Sequence, residues 1–227
     1  MPYSVSIEEM EGRWVAFVPA LPGCFVSEAT RDAAASALPA GVRDYAIWRQ
    51  NKGDAETVLD PHPEFEIDEL VREWPDPAHP DYVVSAFFAA DAPPLTAHDI
   101  SMGLQLLDWS YADLRAAGDV APGILTRTVE DNWSIAGILN HCSRAEWWYL
   151  DRLGLAPDPA SEPAAWQQRL TLAHQQLVSV LPQLEGVTRI ELKNAELWSP
   201  RKMLRRALWH ERDHTQHIYQ FRARLGV

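Results

Sequence analysis

The chain of 227 residues has only two cysteines. The residue types and sequence patterns that it lacks already limit the class of protein to which it can belong. Cys24 and Cys142 are too few for the disulfide framework on which small secreted domains depend. No stretch approaches the roughly 18 apolar residues of a membrane-spanning helix. The first residues show neither the basic region nor the apolar run of a signal peptide. We therefore expect a cytoplasmic protein with no membrane partner.

Basic side chains are also scarce: 20 Lys and Arg stand against 32 Asp and Glu, for a net charge of −12. Residues 1–90 contain 6 of the basic and 16 of the acidic side chains, so most of the negative charge lies there. An acidic chain repels phosphate backbones and anionic headgroups. We therefore expect no nucleic-acid partner, and two parts of the chain with different surfaces.

Residues 1–52 predict a small α+β domain. Three β-rich stretches, residues 3–7, 14–18 and 24–27, are joined by turns and followed by a helix over about residues 31–49. Thr30 is placed to cap that helix. Pro39 and Gly41 lie inside it, and an interior proline predicts a kink or a break.

The pattern of these residues resembles the small HicB-like fold over roughly residues 1–50. The resemblance rests on a strand pair, the run Pro19-Ala20-Leu21-Pro22-Gly23-Cys24, a third strand, and Thr30-x-x-x-Ala34 at the start of a helix. HicB antitoxins usually add a DNA-binding segment, and this sequence shows none. The resemblance therefore implies a module that binds a partner or a ligand, not a repressor.

Residues 53–94 predict an acidic, proline-rich linker. Residues 51–81 hold ten acidic side chains and one arginine, Arg72, together with five prolines. We interpret most of this segment as a solvated tether, with a short helix near residues 67–74. Residues 82–88, Tyr-Val-Val-Ser-Ala-Phe-Phe, predict a buried strand that either joins the N-terminal sheet or packs as an extended segment.

Residues 95–227 predict an all-α part. Apolar residues recur at helical spacing over four stretches, residues 98–117, 134–153, 163–181 and 200–224. Ser134 and Ser199 are placed as N-caps, and Gly154 follows the second helix as a C-terminal glycine. Four helices with one apolar stripe each predict a four-helix bundle, so the expected fold class is α+β with a separate helical part.

Three histidines lie on one face of the fourth predicted helix. At about 100° per residue, His210, His214 and His217 fall within an arc of about 60°. Two imidazoles at i and i+4 on an inward face are spaced to hold one divalent ion; core histidines held by ordinary hydrogen bonds are the alternative. His141 interrupts the apolar stripe of the second helix and supplies a third ligand across the bundle, which leaves positions open for water or substrate.

The string His210-Glu211-x-x-His214 also matches the zincin metalloprotease pattern, with Glu211 as general base. The better-known zincins take their third ligand well downstream. His217 is the only His, Asp or Glu among the residues after His214. We therefore do not favour proteolysis.

Residues 95–225 resemble the DinB-like superfamily. The resemblance rests on Trp133-Ser134, on Ile138-Leu139-Asn140-His141 with Ala145-Glu146, and on His210-Glu211-x-x-His214 with Ile218. It implies a bundle with parallel second and third helices. It also implies a divalent metal ion, zinc or nickel, held by His141, His210 and His214.

Two further residues stand beside these implied ligands. His217 is a candidate fourth ligand, a candidate proton shuttle, or a side chain that lines the site and forms hydrogen bonds there. We favour the last of these roles. Glu211 is either an acceptor that orients a ligating imidazole or the partner of a surface arginine. The basic run Arg201, Lys202, Arg205 and Arg206 is interpreted as a solvated helix face.

The resemblance also implies a class of reaction, because superfamily members include transferases and isomerases that use bacillithiol, mycothiol or glutathione. A bound metal lowers the pKa of a low-molecular-weight thiol, which then attacks an electrophilic substrate. Two alternatives stay open: a hydrolase that uses metal-bound water, and a non-catalytic binding or stress-response scaffold with a structural metal. A homodimer through bundle faces is also expected.

Overall fold

The computed structural model describes residues 1–54, 62–80, 82–128 and 133–227. The chain divides into two compact units, the first formed by Met1–Ala92 with Leu192–Leu197 and the second by Pro93–Glu191 with Trp198–Val227. Residues 55–61 and 81 of the predicted linker lie outside the described residues, and the predicted boundaries at residues 52 and 94 stay predictions. Within the described part of the chain, no helix is long and apolar enough to cross a membrane.

The first unit is built on a four-stranded sheet with the order β3-β2-β1-β4. Strands β1 (Tyr3–Met10), β2 (Arg13–Phe17) and β3 (Phe25–Glu28) form the predicted antiparallel meander. Strand β4 (Phe65–Val71) pairs with β1 in parallel. The predictions of a short helix near residues 67–74 and of a solvated tether there are therefore wrong. Strand pairing satisfies the backbone polar groups of an acidic segment that has few apolar residues to bury.

Helix α1 (Arg31–Asn51) packs on this sheet as one uninterrupted helix, so the predicted break at Pro39 does not occur. Thr30 caps it by accepting a hydrogen bond from the backbone N–H of Ala33 at 3.2 Å. The core beneath it joins apolar residues of β1, β2 and α1. Tyr45 ties the helix to the proline-rich turn by donating to the carbonyl oxygen of Pro22 at 2.7 Å. Packing on the sheet outweighs the local cost of the proline.

Residues 82–88 form a strand over only two residues. Strand β5 (Trp74–Pro75) pairs with β6 (Val83–Val84) as a separate two-stranded ribbon. Ala86 and Phe88 are buried outside any strand, and the N–H of Ala86 donates to the carboxylate of Glu8 at 2.7 Å. The predicted strand is therefore formed only at Val83–Val84, and it does not join the four-stranded sheet.

The second unit contains the four predicted helices. They are α2 (Ala97–Ala117), α4 (Ile135–Arg152), α5 (Trp166–Val180) and α6 (Pro200–Leu225), with the one-turn helix α3 (Pro122–Leu125) between the first two. Ser134 and Ser199 act as the predicted N-caps, accepting from the N–H groups of Gly137 and Lys202 at 3.0 Å each. A short hairpin of β7 (Glu191–Lys193) and β8 (Glu196–Trp198), most of which belongs to the first unit, precedes α6 in the chain. The α+β class and the helical C-terminal part are confirmed, whereas the HicB-like assignment stays a prediction.

Two pairs of helices run parallel. In the first half of each helix, Arg169 of α5 donates hydrogen bonds to the side chains of Asn140 and Ser143 of α4. Toward the other end, Gln176 of α5 donates to the carbonyl oxygen of Leu155, just beyond α4, at 3.0 Å. The chain must therefore return along the full length of α4. Residues 153–165 can span about 40 Å, whereas α4 is about 27 Å long.

Helices α2 and α6 form the other parallel pair. Ser110 lies against Glu211, and Arg222 donates to the carbonyl oxygen of Ala117 at 3.2 Å. Helix α6 runs antiparallel to α4. The chain therefore runs in one direction along α2, in the opposite direction along α4 and α5, and back along α6. This order places the middle of α6 against α4, where the three histidines lie.

Candidate metal centre

Helices α4 and α6 bring the three predicted ligands together. The Nε2 atom of His210 lies 3.0 Å from that of His141 and 3.1 Å from that of His214. One ligating atom from each side chain falls within 4.8 Å of the others. His217 is not part of this group among the residues that the structure describes. The residues that sequence spacing selected thus form one cluster on the facing sides of two helices.

Hydrogen bonding between imidazoles does not account for this arrangement. An imidazole Nε2 has a single in-plane position, which holds either a hydrogen or a lone pair. The Nε2 atom of His210 can therefore form one good hydrogen bond, yet two ring nitrogens lie about 3 Å from it. A cation placed between three lone pairs turns these crowded contacts into bonds. The donor set is consistent with such an ion, because imidazole suits zinc, nickel and related divalent metals.

The distances also fit a common metal. Nitrogens bound to Zn²⁺ at about 2.0–2.1 Å lie about 2.9 Å apart at a right angle and about 3.3 Å apart at the tetrahedral angle. The separations of 3.0 and 3.1 Å fall inside that range. Both nitrogens of the His210–His214 pair come from one helix at i and i+4, so the backbone of α6 fixes their spacing. His141 completes the set from α4.

Aromatic rings surround the three imidazoles. The ring of Tyr149 meets the ring of His210 edge-on, with centroids 5.8 Å apart. The ring of Trp133 meets His141 in the same manner at 5.7 Å, and it also approaches His217 at 6.3 Å. The sequence placed Trp133 just before the predicted N-cap Ser134 and among the residues that carry the family resemblance. Its position beside the centre follows from the first turn of α4, which the sequence alone does not orient.

Glu211 lies inside the bundle, so a surface salt bridge is excluded for it. Its side chain is fully buried and accepts a hydrogen bond from the hydroxyl group of Ser110 on α2. Its Oε1 atom lies 3.7 Å from Nδ1 of His174 on α5, and the ring of His174 stacks on Tyr111 with centroids 3.8 Å apart. These contacts link α6 to α2 and α5. A direct role of Glu211 in orienting an imidazole stays a prediction.

A second buried carboxyl group, that of Glu146 on α4, faces Glu211. Burial raises the pKa of Glu146 well above its usual value, and the negative charge of Glu211 raises it further. Burial, followed by the charge of Glu146, also raises the pKa of the Cys142 thiol. Glu146 follows Cys142 by four residues and is buried on α4, but the sequence gives no signal that this side of the helix faces other helices. The bundle interior thus holds a carboxyl pair close in sequence to the histidines.

The basic run at the start of α6 is not a solvated face. Lys202 is fully buried and its ammonium group lies 4.5 Å from the ring centre of Trp198. The guanidinium group of Arg206 lies 4.3 Å from the ring centre of Trp209. Arg201 donates to the carbonyl oxygen of Pro94 and to the carboxylate of Asp99. Long side chains cover apolar rings with their stems, so these cations stabilise packing.

Comparison with known proteins adds little to this geometry. No family model and no curated protein matches the sequence. Among solved structures, the chain is similar to YfiT from Bacillus subtilis, described as a probable metal-dependent hydrolase with an unusual four-helix bundle topology. The similarity covers 63% of this chain and 94% of YfiT at 16% identity, with a TM-score of 0.48. A functional argument for this chain therefore rests on its own side chains.

Proposed function

We propose that the second unit binds one divalent metal ion through His141, His210 and His214 and that this ion serves catalysis. The observation that carries the proposal is the convergence of three Nε2 atoms, two of whose separations are 3.0 and 3.1 Å. Structural zinc sites usually have four protein ligands, whereas catalytic sites keep a position for water or substrate. The cluster has three ligands among the described residues, which supports the catalytic reading over a structural metal.

The bound metal would supply a nucleophile near neutral pH by lowering the pKa of the water or thiol that it holds. The three histidines would hold the ion, and the buried ring of Tyr149 would keep bulk water away from the His210 side of it. We propose a low-molecular-weight thiol of the bacillithiol, mycothiol or glutathione type as the nucleophile and an electrophilic small molecule as its target. The resemblance of the sequence to the DinB-like superfamily supports the thiol.

Hydrolysis by metal-bound water is the second candidate, because the same three ligands suit either nucleophile. A basic rim for the carboxylates of a thiol would favour transfer, but Lys202 and Arg206 are buried against indole rings. The histidine geometry therefore supports a metal-activated nucleophile and leaves the choice to experiment. Zinc and nickel are the proposed metals.

Spectroscopy of the Co²⁺-loaded protein distinguishes the two nucleophiles. A thiolate bound to Co²⁺ gives an intense charge-transfer band in the near ultraviolet, which bound water does not give. We expect this band to grow with a single dissociation constant when glutathione is added. A Co²⁺-loaded protein that never develops the band with glutathione, cysteine or 2-mercaptoethanol would argue against thiol activation and favour hydrolysis.

A further inference from the structure

The histidine centre has a closed side and an open side. On the closed side, His210 is 3% exposed and Tyr149, which packs edge-on against it, is also 3% exposed. Trp133, by contrast, exposes 38% of its surface, and its ring meets that of His141 at 5.7 Å and an angle of 87°. We call the part of the centre beside this exposed ring its open side.

His217 stands on the same open side. It follows His214 by three residues on α6, and the two rings are tilted with centroids 5.9 Å apart. Its ring also lies 6.3 Å from the ring of Trp133. Because His217 is outside the cluster of ligating atoms, its ring borders the centre without joining it. Trp133 and His217 together form what we call the entrance wall.

The first turn of α4 holds Trp133 in place. Trp133 directly precedes Ser134, whose hydroxyl oxygen accepts the N–H of Gly137 at 3.0 Å. A Cβ atom at Gly137 would lie 3.8 Å from Cε3 of Trp133, so the indole rests on a helix surface without a side chain. The position of the ring is thus set by the helix start, and the wall exists before any ligand binds.

We infer that Trp133 and His217 contact the molecule that enters the open coordination positions, and that His217 binds this molecule instead of the metal. This inference rests on the proposed function. The indole offers a flat apolar surface beside the ligating atom, and the imidazole offers one donor and one acceptor. The entrance wall therefore fits a ligand with an apolar or aromatic group next to its metal-binding atom and a polar group within reach of His217.

Two small thiols test the contact with Trp133. The Co²⁺-loaded protein is titrated with thiophenol and with 2-mercaptoethanol, and binding is followed by the change in visible absorption. We expect Trp133→Ala to weaken thiophenol binding about three- to tenfold and to affect 2-mercaptoethanol much less, since only thiophenol offers a ring to the indole. Trp133→Phe should recover most of the affinity. Trp74→Ala, which removes an indole of matching exposure from β5, is the control.

His217→Ala tests the second contact. We expect it to leave Co²⁺ uptake unchanged and to weaken 2-mercaptoethanol binding about two- to tenfold, the range of one lost hydrogen bond. His217→Gln should recover part of that loss. Unchanged affinities in both alanine variants would overturn the entrance wall, and loss of Co²⁺ uptake in His217→Ala would show that His217 is a ligand. Failure of the unaltered protein to take up Co²⁺ would instead overturn the proposed metal centre itself, and the wall with it.

Discussion

The carboxyl group of Glu146 makes the stability of this protein depend on pH. Its pKa is raised in the folded state, first by burial and then by Glu211, from the ordinary value of 4.5. The folded protein therefore holds this proton more tightly than the unfolded chain does. The resulting stabilisation is complete below about pH 4.5 and is lost as the pH rises toward the raised value.

Glu146→Gln removes this dependence because the amide stays neutral at every pH. We expect the metal-free variant to be more stable than the unaltered protein at pH 8, with the difference shrinking toward pH 4. Urea denaturation of both proteins between pH 4 and pH 8 measures it. Glu185→Gln, at an exposed position, should leave the pH profile unchanged. Parallel profiles for Glu146→Gln and the unaltered protein would contradict the account.

The histidines could be predicted from the sequence, whereas the carboxyl pair could not. His210 and His214 share one helix face, and His141 interrupts an apolar stripe, so periodicity alone selects them. Glu146 lies about 140° from His141 around α4, a direction that the sequence cannot assign to solvent or to a neighbouring helix. Because α4 packs on both α5 and α6, that direction is also buried. Lys202 and Arg206 were misassigned for the same reason.

At the scale of secondary-structure elements, the packing of α1 on the sheet depends on one glycine. A Cβ atom at Gly41 would lie 2.2 Å from Cγ1 of Val26 on β3. The side chain of valine is stiff about χ1, so relief requires the helix to move away from the strand.

Gly41→Ala should therefore destabilise the protein by about 1–3 kcal/mol, although alanine favours helix formation elsewhere. Thermal unfolding followed by circular dichroism measures the loss. Gly123→Ala is the matched control, because nothing lies within 4 Å of the Cβ that it would add. A Gly41→Ala protein as stable as this control would show that helix and strand do not touch as described.

Most helices and the meander could be predicted because their patterns are local. Capping serines, apolar periodicity and the proline-glycine turn each act over a few residues. Strand β4 was not predicted for two reasons. It pairs with β1, which lies about 60 residues earlier in the chain, and it carries charged side chains between its apolar ones. The break predicted at Pro39 was wrong for the opposite reason. A proline inside a helix has a local free-energy cost, but the tertiary packing of α1 outweighs that cost.

For the whole molecule, the metal should stabilise only the second unit. All three proposed ligands belong to that unit, and an ion that binds the folded state alone shifts the unfolding equilibrium by mass action. Zinc at about 100 times its dissociation constant should add about 2.7 kcal/mol to the free energy of unfolding of the bundle. Hydrogen exchange measured with and without zinc should show slower exchange in α4 and α6 and no change in α1. Equal protection of both units would argue against a site confined to the bundle.

The order of the helices is a property of the whole bundle that sequence patterns did not determine. Periodicity gives the faces of α2, α4, α5 and α6, but not which helix lies beside which. The parallel arrangement of α4 and α5 follows from the contacts of Arg169 and Gln176 with α4 and the segment after it. The result is that α6 lies against both α2 and α4, and its two faces carry the histidines and Glu211.

The metal content of the protein tests the central claim most directly. The protein is stripped with a chelator, reloaded with zinc or nickel and freed of excess metal by gel filtration, alongside His214→Ala. As a control, His98→Ala removes an exposed histidine from α2. We predict about one ion per chain in the unaltered protein and in His98→Ala, and a loss of most of it in His214→Ala. An unaltered protein that retains no metal, or a His214→Ala protein that retains a full equivalent, would contradict the account.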